Sequence, residues 1–135
     1  MAIDRKNLKL LSASLTEPLS AAMLVGSWKN ELESVMAIET FDGKNFTGTY
    51  KTAVSAGGGS VTGVLAGTVA GDAIAFTVNW SGAFSSVTAW SGLLLGTADS
   101  PTMYTLWHLA ATPEEDSEYW LAINAGADLF VPVVD

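Results

Sequence analysis

From Gly26 onward, apolar and polar residues alternate in short runs broken by turn residues, which is the two-residue period of strands and not the 3.6-residue period of helices. Ser27 to Leu32 and Ser34 to Phe41 read as the first two strands. Phe46 to Val54 gives the clearest alternation, with Phe46, Gly48, Tyr50, Thr52 and Val54 on one face and Thr47, Thr49, Lys51 and Ala53 on the other. Asp42-Gly43 between them is a strong hairpin signal. Val64 to Val69 pairs with Ala73 to Trp80 about Gly71-Asp72, and Val87 to Thr97 pairs with Thr102 to Ala111 through Ala98 to Pro101. Tyr119 to Ala125 reads as the last long strand, ahead of Asp128 and a Phe130-Val-Pro-Val-Val tail. The Ser55 to Ser60 run, SAGGGS, holds no shape by local preference and reads as a loop.

About eight strands with short links predict an all-β domain. An eight-stranded antiparallel up-and-down β-barrel satisfies this pattern, and a sandwich shares its strand count. Closure favours the barrel, because a weakly charged sheet has little with which to protect exposed edges. The interior of an eight-stranded barrel is either filled or holds one small ligand.

Residues 1–25 differ from the remainder and read as an N-terminal extension to a barrel over 26–135. Arg5, Lys6 and Lys9 precede an apolar stretch interrupted by Glu17 and Pro18. One reading is a short helix, with Thr16 as N-cap and Pro18 in the first turn; the other is a targeting remnant.

Charge sharpens the picture. The net charge is -8, and no Lys or Arg follows Lys51. Such a chain offers no footprint for a phosphate backbone, so nucleic acid is not an expected partner. There is no Cys, which excludes disulfides and thiolate metal sites. No apolar run is long enough to span a membrane as a helix. Charged residues make up only 15% of the chain, which suggests that surface is buried between copies or between sheet faces.

The chemistry gathers in Phe76 to Gly92, FTVNWSGAFSSVTAWSG. Ser86, Thr88 and Trp90 share one strand face, while Val87 and Ala89 take the other. A large ring beside two hydroxyls suits a pocket that stacks a ligand and hydrogen-bonds its polar atoms. His108, next to Trp107, belongs to the opposite face. With no Cys and no second ligand near it in sequence, neither a metal site nor a hydrolytic triad is supported. The acidic Thr112 to Ser117 run lacks the spacing of a calcium loop.

Six motifs follow in order: Gly26-Ser27-Trp28-Lys29-Asn30, Gly48-Thr49-Tyr50, Thr77-Val78-Asn79-Trp80, Thr88-Ala89-Trp90-Ser91-Gly92, Thr105-Leu106-Trp107 and Tyr119-Trp120. In order and spacing they resemble the avidin/streptavidin family of biotin-binding barrels, over Gly26 to about Phe130. The resemblance implies a non-enzymatic binder of biotin that needs no cofactor and works outside the cytoplasm, secreted or periplasmic. It implies that Asn30, Ser34 and Tyr50 donate to the ureido oxygen, while Asp128 and Thr52 accept from its two N–H groups. Thr88 would face the thioether sulfur. Ser86 and the backbone N–H near Ala56 would meet the valeryl carboxylate. Trp80, Trp90 and Trp107 would box the rings, with Leu109 as apolar wall. Trp120 would be lent to a neighbouring subunit, making a homo-oligomer, a tetramer by preference. Trp28 would close a barrel end.

Some features depart from the streptavidin pattern: nine residues separate Trp80 from Trp90, fewer than there; Lys29 takes a place often aromatic; and Glu114, Glu115, Asp116 and Glu118 make the rim acidic. A barrel for another small apolar or heterocyclic ligand, or a structural oligomer with a lapsed pocket, would share the fold; a generic fatty-ligand carrier has no use for Asn30, Ser34, Tyr50, Thr52 and Asp128 together in one apolar cavity.

Overall fold

In the computed structural model the described residues are 20–53, 59–80, 85–97, 99–112 and 123–134. A four-residue helix, α1 (Ala21–Leu24), leads into eight strands: β1 (Gly26–Lys29), β2 (Val35–Phe41), β3 (Asn45–Lys51), β4 (Thr62–Ala70), β5 (Ala73–Trp80), β6 (Ser86–Thr97), β7 (Ser100–Ala111) and β8 (Ile123–Pro132). Each pairs antiparallel with the next, and β8 returns to β1, so the sheet closes into a barrel. The alternative of a sandwich is thereby settled against.

Two of the expected turns form as their residues dictate. Asp42 Oδ1 accepts from the backbone N–H groups of Lys44 and Asn45 while Gly43 takes φ +99°. At the other, Gly71 takes φ +60° between β4 and β5.

The inward faces follow the alternation. Met36 and Ile38 of β2, Phe46 and Tyr50 of β3, Leu65 of β4, and Ile74, Phe76 and Val78 of β5 are buried, as are Leu94, Met103 and Phe130. Leu24 of α1 is also fully buried, and its carbonyl accepts from Trp28 Nε1 at 3.0 Å. Trp28 therefore packs at the end of the barrel that α1 covers, with its one polar atom satisfied.

The last strand differs from expectation. It runs through Asp128 and Phe130, which the sequence reading had placed after the strand; Asp128 lies opposite Thr105 and Phe130 opposite Met103. The alternation of buried Asp128 and Phe130 with exposed Leu129 is itself a strand period. The charged Asp128, two residues after Gly126, masks that period when hydropathy alone is read. Residues 119–122, the first half of the expected strand, lie outside the described residues, as do Thr16 and Pro18.

The β1–β8 closure is short. Trp28 lies opposite Pro132 and Lys29 opposite Val131, and Val133 N–H donates to Ser27 O at 2.9 Å, while β6 and β7 pair over twelve positions. Beyond Lys29 the chain turns through Asn30 to Ser34, with Glu33 at φ +66°.

Candidate functional site

The polar residues of the expected site converge at one end of the barrel. Asn30 lies where β1 ends, and its Oδ1 accepts from the backbone N–H groups of Leu32 and Ser34, both at 3.0 Å. This bond pair shapes the β1–β2 turn and leaves the amide Nδ2 to point inward, 3.3 Å from the Tyr50 hydroxyl. Asn30 thus satisfies a strand end and presents a donor to the interior. Ser34 Oγ accepts from Ala53 N at 3.2 Å, tying the turn to the end of β3. Asn30, Ser34 and Tyr50 are all buried.

Asp128 approaches from β8 and is only 7% exposed. Trp90 Nε1 donates to its Oδ2 at 2.9 Å, and its backbone carbonyl accepts from the fully buried Thr105 hydroxyl at 2.9 Å. Burial pushes the Asp128 pKa up, the Trp90 hydrogen bond opposes this, and the Glu31 charge adds to the rise. Tyr50 is raised well above the ordinary phenol value, by burial first and then by the Asp128 charge. It is therefore a neutral hydroxyl throughout the physiological range, able to donate.

The aromatic residues stack across the interior. Phe76 and Trp90 lie 4.9 Å apart at 16°, and Trp90 and Tyr50 lie 5.1 Å apart at 26°. Trp80 meets Tyr50 edge-on at 5.3 Å. Trp80 Nε1 donates to Thr88 Oγ1 at 2.8 Å, so the indole and the hydroxyl expected together on this wall are joined. Ser86 stands opposite Trp80, and Leu109 opposite Thr88. Trp107 stands opposite Trp90 on one side and Gly126 on the other.

Two glycines make room for the indoles. A Cβ on Gly126 would lie 2.5 Å from Trp107 Cζ2, and one on Gly63 would lie 2.4 Å from Val78 Cγ1 and 3.1 Å from Trp80 Cε3. Both glycines owe their place to close approach, which strand patterning does not reveal.

Thr52 sits at the mouth of the barrel, beyond the end of β3. Its hydroxyl accepts from Val61 N at 2.9 Å and donates to Val61 O at 3.4 Å, which pins the start of β4 and leaves acceptor capacity on the oxygen. Ala56 and Trp120 lie outside the described residues. His108 is exposed on the outer face, as its parity with Trp107 requires. Phe76 was not singled out as a site residue, yet it backs Trp90; its shared parity with Trp80 and Val78 was the available signal.

The arrangement resembles known proteins throughout its length. A model of the Avidin family matches residues 19–133. The chain belongs to the Avidin family. Avidin of Gallus gallus is 31% identical over 134 residues, covering 91% of this chain and 88% of that protein. Avidin-related protein 4/5 of the same organism is 30% identical over 132 residues, with the same coverage. Among solved structures, the rhizavidin–biotin complex superposes with a TM-score of 0.70 at 31% identity, covering 87% of this chain and 98% of that one. Xenavidin superposes with a TM-score of 0.70 at 28% identity, covering 84% of this chain and the whole of that one. Avidin family proteins are non-enzymatic biotin binders, so membership makes this chain a binding protein and not an enzyme. Among the described residues no helix is long and apolar enough to cross a membrane.

Proposed function

We propose that this protein binds biotin at the open end of the barrel, with polar groups set in place before the ligand arrives. The observation that carries this reading is the buried Asp128 carboxylate beside the Tyr50 hydroxyl and the Asn30 amide, in an interior otherwise lined by rings. Buried polar groups are costly unless paired, and a carrier of plain apolar molecules gains nothing from them. A cyclic urea pairs them: its oxygen takes the Asn30, Ser34 and Tyr50 donors, and its N–H groups find Asp128 and Thr52. Trp90 donates to one Asp128 oxygen, and beside its bond with Asn30 the carboxylate keeps lone pairs that can accept a ureido N–H. Trp80, Trp90 and Trp107 then flank the ring system, Thr88 faces the sulfur, and Leu109 adds apolar wall. Ser86 and the backbone near Ala56 meet the carboxylate tail. Since little is left to order on binding, the cost of association is reduced. Biotin is expected to shift and quench the tryptophan emission, whereas a fatty acid of similar length leaves it unchanged; the reverse pattern would refute the reading.

The proposal extends to assembly. The outer face of β4 to β7 carries Val64, Ala66, Thr77, Val87, Ala89 and His108 in adjacent register, and Val64 is 70% exposed. A broad sheet face with so little charge suits contact with a second copy. In such an oligomer Trp120 would complete a neighbouring site, and a tetramer is the preferred state. Ala89 lies between Thr77 and His108 near the middle of this face. Ala89→Arg is therefore expected to lower the sedimentation coefficient while leaving the β-sheet circular dichroism intact. A wild-type chain that sediments as a monomer would contradict the assembly. Export is part of the same reading, supported by Arg5, Lys6 and Lys9 ahead of an apolar stretch.

A further inference from the structure

The register of the β1–β8 seam gives Glu31 a role. Lys29 faces Val131, so continuation of the ladder would set Glu31 opposite Leu129. The backbone leaves the sheet before reaching that rung, because Asn30 turns the chain toward Ser34. The Glu31 side chain takes over: its Oε2 accepts from the Leu129 backbone N–H at 3.0 Å. This bond joins the residue after Asn30 to the residue after Asp128, two groups that lie on different sides of the barrel's shortest seam.

We propose that Glu31 is a positioning residue of the ligand site, whose carboxylate closes the seam two residues past the backbone ladder and holds Asn30 and Asp128 in register across it. The inference rests on the biotin reading for its consequence, while two of its tests use the ligand-free protein.

The latch carries a charge, and that charge has a second effect. Among the described residues, the titratable group acting on Asp128 is Glu31 from the β1–β2 turn, through its charge and a side-chain hydrogen bond; Trp90 and Asn30 face Asp128 as neutral donors, and the Asp128 charge in turn raises Tyr50 of β3. The neighbouring cation, Lys29, is 3.8 Å from Glu33 instead. A negative Glu31 therefore opposes ionisation of Asp128, and the site loses its acceptor at a higher pH than it would beside a neutral residue.

Glu31→Gln and Glu31→Ala separate the two effects. Glutamine keeps an oxygen for Leu129 N–H but removes the charge; alanine removes both. In the ligand-free protein, carboxyl NMR of Asp128 is expected to show its titration midpoint falling by about half a pH unit or more in Glu31→Gln. Amide exchange at Leu129 is expected to quicken about tenfold in Glu31→Ala and to change little in Glu31→Gln. Biotin affinity at neutral pH should fall about tenfold in Glu31→Ala and be largely restored in Glu31→Gln. An Asp128 midpoint unmoved by Glu31→Gln, or a Leu129 amide equally protected in all three proteins, would overturn the proposal. These two readouts do not involve biotin, so their failure is distinct from failure of the biotin assignment.

Discussion

Asp128→Asn is expected to weaken biotin binding by about two orders of magnitude at neutral pH and, in the absence of ligand, to raise the unfolding temperature. The loss of binding comes from replacing a charged acceptor, whose hydrogen bonds contribute about 1.5–3 kcal/mol, with an amide that also turns donors toward the ligand's N–H groups. The gain in stability follows from the sign of the Asp128 shift. Its pKa in the folded protein is raised above the ordinary carboxylate value by burial, against the opposing Trp90 bond. The folded chain therefore takes up this proton at higher pH than the unfolded chain, and ionised Asp128 subtracts stability at neutrality. That penalty fades as pH falls from neutrality through the raised value toward the ordinary one. Over the same interval the wild-type affinity for biotin should decline, because the acceptor is being protonated. Thermal scans and titrations across this range check both trends, and Asp128→Asn should remove this contribution from each. A variant that binds as tightly as wild type would mean that Asp128 does not face the ligand.

Phe76→Ala should cost about 3–5 kcal/mol, read from the guanidinium midpoint at unchanged slope. Phe76 is 2% exposed and packs against Phe46 and Phe130 as well as lying flat beneath Trp90. Its removal opens a cavity where β3, β5, β6 and β8 meet. Biotin affinity should fall with stability, since Trp90 loses the surface that fixes its ring and, through Nε1, the Asp128 carboxylate. A loss below about 1 kcal/mol would show that the stack contributes little beyond ordinary contact.

These two residues mark the limits of what the amino-acid order displays. The period of two was enough to place Ser86, Thr88 and Trp90 on one wall, and Thr88 and Trp90 are buried while Val87 and Ala89 are exposed. Asp42-Gly43 and Gly71-Asp72 located two hairpins because those residues supply the turn chemistry themselves. Asp128 was harder to place, since a charged residue inside a strand reads locally as a turn; only its partners Thr105 and Trp90, distant in sequence, show why it is buried. Gly63 and Gly126 resemble any strand glycine until the indole above each is seen. Glu31 gave no signal, because its role comes from where β1 stops relative to β8, which is a matter of closure and not of local pattern.

The most direct test of the account is a calorimetric titration of the purified chain with biotin, beside Asp128→Asn at the same concentration. Saturation near one biotin per wild-type chain with nanomolar or tighter affinity is expected, with a much weaker isotherm for the variant. A folded wild-type protein that gives no heat with biotin and no change in tryptophan emission would contradict it.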